Sequence, residues 1–211
     1  RGRYTETVGV NGLEEASSLA GKIAPSAVVT QGNEKIGLVG LTTQLLETIS
    51  STGGVEVKGF AGDGSETNDV ALLAAQLQPV IDDLIAQGVN KIILMSHLQQ
   101  IELEQALAPL LTGVDIILAA GSHTRMGDAD DEAASFPGHS ASFMADYPIV
   151  TAGADGATTL IVSTDNEYTY LGRLVVEFDA DGEIIPSSLD ATVNGAYATT
   201  DENVAEAWGV D

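Results

Sequence analysis

Apolar and polar positions follow two periods along this chain, and the change between them divides it. Over residues 67–87 the apolar positions are Val70, Leu73, Ala74, Leu77, Ile81, Leu84 and Ile85, the three-and-four spacing of an amphipathic helix. Gly88 then stands where a helix C-terminal cap is expected. Short apolar runs at 35–43, 91–96 and 116–119 read as buried strands, with a second helix predicted over 100–111. Strand, helix, strand, helix, strand at this spacing predicts parallel βαβ units. Right-handed crossovers place both helices on one face and the strand ends on one edge.

The flanks are patterned differently. Residues 1–34 read as an irregular segment with a short helix over 13–22 ended by Pro25, and 55–60 alternates as a shorter strand before a loop, 62–68, that offers a helix cap. After Asp128 a long loop runs through 137–142, and strands are then expected at 148–151, 159–163 and 171–178. The turn 179–182 leads into a hairpin strand at 183–185, with Asp179 and Asp181 as turn builders. No helix separates these strands, so the fold class is α/β with a mixed sheet: a parallel βαβ part, then antiparallel strands. A last helix is expected over 200–208, capped by Thr200 or Asp201, with Trp208 as an apolar contact. The chain divides into 1–34, a folded unit over 35–190, and a tail or linker over 191–211.

Charge changes the picture more than length does. The 211 residues suit one domain, but 8 basic against 31 acidic residues give a net charge of -23. That argues against nucleic acid or an anionic membrane as partner and fits a soluble acidic protein. An anionic substrate here would need bound cations to attract it. The absence of cysteine excludes disulfide and thiol chemistry, and no apolar run approaches the roughly 18 residues of a membrane span. Arg1 opens the chain with no signal-like segment, which reads as a piece of a longer protein.

Chemistry concentrates where two strands end. His97 closes the run at 91–96, and Ser122, His123, Thr124 and Arg125 follow the run at 116–119 through a small-residue turn. In open α/β sheets the crevice beyond the strand ends is where ligands bind. Imidazoles there suit zinc and other transition metals, or are hydrogen-bonded polar residues without further role. Arg125 contacts a phosphate or pairs with a nearby acid. His139, in the long loop, reads as a surface residue. A Ser-His-Asp triad of Ser122 or Ser140 with His97 and Asp115 lacks a nucleophile elbow. The Walker pattern is missing after 35–43, though the glycines there suggest close backbone approach. Asp128, Asp130, Asp131 and Glu132 lack EF-hand spacing and read as a solvated loop. Asn166, Tyr168 and Tyr170 read as packing groups rather than a base-stacking platform.

A strand ending Gly-Leu-Thr-Thr43, a strand ending Ser96-His97, Gly113-Val-Asp-Ile-Ile-Leu118 with its small-residue and His turn, Tyr147-Pro-Ile-Val150 and Tyr170-Leu-Gly-Arg-Leu-Val-Val-Glu-Phe-Asp179 follow one another in order. Together they resemble the calcineurin-like metallophosphoesterases, within them the 5'-nucleotidase and 2',3'-cyclic phosphodiesterase group. The resemblance covers about residues 35–185. It implies half of a four-layer αββα sandwich and a parent that is a periplasmic or secreted hydrolase of nucleotides or other small phosphoesters, active in nucleotide catabolism. It also implies two divalent metal ions, zinc, manganese or similar, in the intact parent. The family's Asp-x-His, Gly-Asp and Gly-Asn-His blocks are absent, so this chain is expected to be the later half, inactive in isolation and without bound metal.

Residue by residue, His97 matches the family's lone histidine ligand. Counting from Asp115 puts Gly121 on the first histidine of the last block and His123 on the second. His97 and His123 are thus implied as metal ligands and Arg125 as a substrate contact, with glycine replacing one ligand. The alternative is a non-catalytic α/β binding module that has lost its ligands. The sheet face left open by a missing half suggests a homo-oligomer.

Overall fold

The computed structural model describes residues 24–51 and 68–209. The helix expected over 13–22, the strand over 55–60 and nearly all of the loop 62–68 lie outside them. In chain order the elements are β1 (Ser26–Gln31), β2 (Glu34–Thr42), α1 (Leu46–Ile49), α2 (Val70–Ala86), β3 (Ile92–His97), α3 (Ile101–Leu107), β4 (Ile116–Ala120), β5 (Met126–Gly127), β6 (Ala145–Asp146), β7 (Ile149–Ala152), β8 (Thr158–Val162), β9 (Tyr170–Arg173), β10 (Gly195–Ala198) and α4 (Asp201–Trp208).

One six-stranded sheet organises them in the order β1-β2-β3-β4-β8-β7. The strands β2, β3, β4 and β8 run parallel, and β1 and β7 close the two edges antiparallel. The sheet is mixed, as the direct connection of β7 to β8 without an intervening helix requires. Its first strand corrects the expectation of an irregular start: 26–31 pairs with β2 across a Gly32-Asn33 turn. Periodicity did not show it because it is an edge strand with Val28 and Val29 both exposed.

The helix α2 forms where the three-and-four spacing puts it, and Leu73, Ala74, Leu77, Ile81 and Leu84 are its buried stripe. Its cap is Asp69, whose side chain accepts from the Leu72 amide, one residue beyond the loop expected to supply it. Gly88 adopts a φ of +78°, as a terminating glycine does. Leu107 and Ala108 from the second helical stretch join the α2 stripe and Leu94, Ile117 and Ile161 of the sheet in one core. Both helices therefore lie on one face. Gly37 in β2 lets α2 approach: a Cβ there would stand 2.9 Å from Leu84 Cδ1.

Among the described residues the opposite face is covered only in part. Leu174, Val176, Phe178, Ile184 and Leu189 pack on Ile116 and Leu160 near the start of the parallel strands. Toward the strand ends Met95 and Leu118 remain exposed. The strand expected over 171–178 is shorter than predicted, because pairing with β10 covers only Tyr170–Arg173; Phe178 and Ile184 then make an isolated bridge across the Asp179 turn. Asp179 accepts from the amides of Asp181 and Glu183 and builds that turn. Thr200 caps α4, but Trp208 is 79% exposed and joins no core cluster among the described residues, correcting the reading of it as an apolar contact.

Candidate functional site at the strand ends

Register brings the two histidines to one edge. Thr42, His97 and Ala120 are successive partners across β2, β3 and β4, so the turn leaving β4 sets Gly121 against His97 and carries His123 along the same edge to Asn166. The strand β8 pairs Val162 with Leu118, and its outgoing segment 163–169 arrives at the same edge. There Arg125 bridges to Thr164 and the Asp165 amide donates to the Thr124 carbonyl at 3.1 Å.

His97 is held from below. Glu104, fully buried on α3, accepts from Ser96 Oγ at 2.7 Å and from the Leu98 amide at 3.3 Å, the two residues flanking His97. Burial pushes the Glu104 carboxyl up from its ordinary range, and the bond from Ser96 opposes that shift. The helix pattern gave a signal for this residue: Glu104 stands between Ile101 and Leu107 on the buried side. A carboxylate on an apolar stripe indicates a specific partner.

Gly121 carries a structural signature of its own. It holds a φ of +87°, and a Cβ built on it would lie 2.7 Å from His97 Cδ2 and 2.8 Å from His97 Nε2. The space of a side chain at 121 is taken by the His97 imidazole, so the turn is built around glycine.

His123 adopts a φ of +53° and is exposed; its Nδ1 lies 3.1 Å from Asn166 Nδ2. Asn166 belongs to a segment with three left-handed residues other than glycine, Asp165, Glu167 and Tyr168. Asp165 anchors it: its Oδ2 accepts from Thr169 Oγ1 at 2.9 Å and lies 2.9 Å from His139 Nδ1. The His139 side chain is 15% exposed and that of Asp165 0%, which corrects the reading of His139 as a surface residue. The long loop folds back on the edge, an encounter that local sequence does not encode.

Other expectations resolve by contact. Arg125 donates from Nε to the Ser142 carbonyl at 3.0 Å and from Nη2 to Ser140 Oγ at 3.4 Å, clasping the long loop. Asp115 sits at the far end of β4 from His97, five residues or roughly 16 Å away at strand rise, so the triad does not assemble. Its carboxylate accepts from the Ile92 amide at 2.6 Å, and burial raises its pKa to about 7 against that bond. Asp131 accepts from the amides of Asp128 and Ala196, fastening the acidic loop to β10. Tyr170 packs against Phe136 and Phe143, as a packing residue should. Tyr168, 94% exposed, does not, and Asn166 bonds His123 instead of packing.

No protein-family model matches the chain. Its relatives are nonetheless consistent with one another. It is 30% identical over 172 residues to the 5'-nucleotidase of Mus musculus, covering 82% of this chain and 27% of that protein. To the 5'-nucleotidase of Bos taurus it is 27% identical over 189 residues, 90% of this chain and 30% of that one. The crystal structure of a 5'-nucleotidase precursor from Thermus thermophilus superposes with a TM-score of 0.63 at 32% identity, over 88% of this chain and 32% of that one. The chain thus spans about a third or less of the length of the proteins it matches.

Proposed function

We propose, from the premise that this chain belongs to the 5'-nucleotidase group, that it forms the later part of a catalytic domain that hydrolyses phosphoric esters of nucleotides or related small molecules. The relatives support a phosphoester hydrolase family. The observation that carries the reading to the residues is the delivery of His97 and His123 to one strand-end edge. His97 and His123 are this chain's proposed metal ligands, and Arg125, with N–H groups beyond those used on Ser140 and Ser142, its proposed phosphate contact.

Among the described residues no group of three or more His, Cys, Asp or Glu side chains could hold a metal ion. The described residues alone do not make a dinuclear centre, and in this reading the remaining ligands lie outside them. When bound, such a metal pair supplies Lewis acidity and a hydroxide nucleophile at neutral pH. The reading also includes a periplasmic or secreted location and self-association through the open sheet face.

The test is hydrolysis of AMP and of a chromogenic phosphomonoester with manganese or zinc. A longer protein containing this chain is expected to be active, the chain alone negligibly so, and His97→Ala or His123→Ala to lower activity at least about tenfold, the scale of a lost ligand or its support. A longer protein inactive across a range of divalent ions overturns the proposal.

One observation favours a second reading, a binding module without catalysis: the His97 ring fills the space of a side chain at Gly121. Titration of the longer protein with zinc or manganese separates the two. The module binds no stoichiometric metal, and the hydrolase does.

A further inference from the structure

We propose that Asn166 is a positioning residue for His123, fixing the plane of its ring and deciding which ring nitrogen carries the proton. His123 projects from a turn in the left-handed conformation, is exposed, and meets the Asn166 amide at Nδ1, 3.1 Å from Nδ2. With the amide nitrogen toward the ring, Nδ1 accepts. The proton of the neutral imidazole then resides on Nε2, and His123 presents an N–H donor to the open edge. With the amide reversed, Asn166 Oδ1 accepts from Nδ1–H, and Nε2 presents a lone pair. The side chain of Asn166 therefore selects between a donor and an acceptor at one exposed atom.

The rest of the segment holds that side chain in place. Left-handed backbone at residues other than glycine persists only where the surroundings over-determine it, and here it occurs at Asp165, Glu167 and Tyr168 around Asn166. The surroundings are on hand. The Asn166 carbonyl accepts from the Thr169 amide at 3.1 Å and from Thr169 Oγ1 at 2.9 Å, and Asp165 is anchored by Thr169, His139 and the Thr124 carbonyl. Asn166 Oδ1 is itself buried without a partner, so the amide is enclosed rather than waving in solvent.

The inference rests on the proposed function only for the use made of Nε2: ligation there takes the Nδ1–H tautomer with the Asn166 amide reversed, whereas the metal-free chain holds the other, and the test needs no catalysis. Side-chain ¹⁵N spectra of the full chain at about pH 8.5, where an ordinary imidazole is neutral, report the tautomer of His123 directly; His123→Gln identifies its signals. The expected result is an Nε2–H imidazole with a scalar coupling between Asn166 Nδ2 and His123 Nδ1. Asn166→Ala should abolish the coupling and give a mixture of tautomers, and Asn166→Asp, which only accepts, should move the proton to Nδ1. The backbone amide signals of Thr169 and Asp165 show whether the segment keeps its fold. If it does not in Asn166→Ala, the aspartate variant decides. A wild-type tautomer and ring mobility unchanged in Asn166→Ala, or a proton left on Nε2 in Asn166→Asp, overturns the proposal. Neither result depends on whether a longer protein hydrolyses a phosphoester.

Discussion

Gly121 is a single residue on which two constraints meet, a left-handed φ of +87° and a neighbouring ring where its Cβ would stand. Alanine violates both, so Gly121→Ala is expected to lower stability by about 1–3 kcal/mol, the range for a strained backbone position, and to displace His97. Urea denaturation reads the first effect and the chemical shifts of the His97 ring read the second. An unchanged midpoint with an unmoved ring would show that the turn tolerates a side chain and that glycine is there by accident. The family resemblance, counted from Asp115, already singles out Gly121 as the position where a ligand is expected. That its space is filled by His97 was not legible, because the two residues meet only once β3 and β4 are in register.

The helix α3 shows how an element supports a site it does not enter. Its buried Glu104 receives both Ser96 Oγ and the Leu98 amide, so the short turn after β3 is tied to the helix behind it. Glu104→Gln keeps a carbonyl oxygen for those donors and is expected to leave stability nearly unchanged. Glu104→Ala strands them in the core and should cost about 2–4 kcal/mol, two buried unsatisfied donors at about 1–3 kcal/mol each with partial relaxation. Thermal unfolding of the pair checks this. Equal losses for both variants would mean that volume, not hydrogen bonding, holds the turn. Secondary-structure reading succeeded for α2 because its stripe is long and regular, and shortened or missed β1, β9 and β10 because such short edge elements owe their existence to partners distant in sequence.

For the whole molecule, charge and burial set the response to solvent. Asp115 has a folded pKa of about 7 against an ordinary 3.8, raised chiefly by desolvation. Between those values the native state holds a proton that the unfolded state has released, so this group's contribution falls as pH rises from about 4 through about 7. Asp115→Asn keeps an acceptor for the Ile92 amide and removes the titration. The variant's stability advantage over wild type, followed by melting temperature, should therefore grow from pH 4 to pH 8, to the order of a few kcal/mol at about 1.4 kcal/mol per pKa unit. A pH-independent difference would place the group's folded pKa near its ordinary value.

Self-association tests the open face in the same way. Met95 and Leu118 are 45% and 43% exposed there, while a net charge of -23 repels a second copy. Screening should tip that balance, so sedimentation is expected to show a mass rising with salt, lost in Met95→Glu and Leu118→Glu. A monomer at every salt concentration would leave the face to another partner.

The sequence by itself determined the βαβ core, the face on which both helices lie, the delivery of His97 and His123 to one edge, and the glycine at 121. Hydrophobic period and strand-end position are local properties, and local properties survive in a string of residues. Only the tertiary structure decided that Glu104 braces the turn around His97 through Ser96, that Asn166 bonds His123, that His139 turns inward to Asp165, and that Arg125 clasps the loop 140–142. Each of those is a contact between polar groups 8 to 43 residues apart. Such contacts are fixed by strand register and loop return, which no periodicity in the chain records.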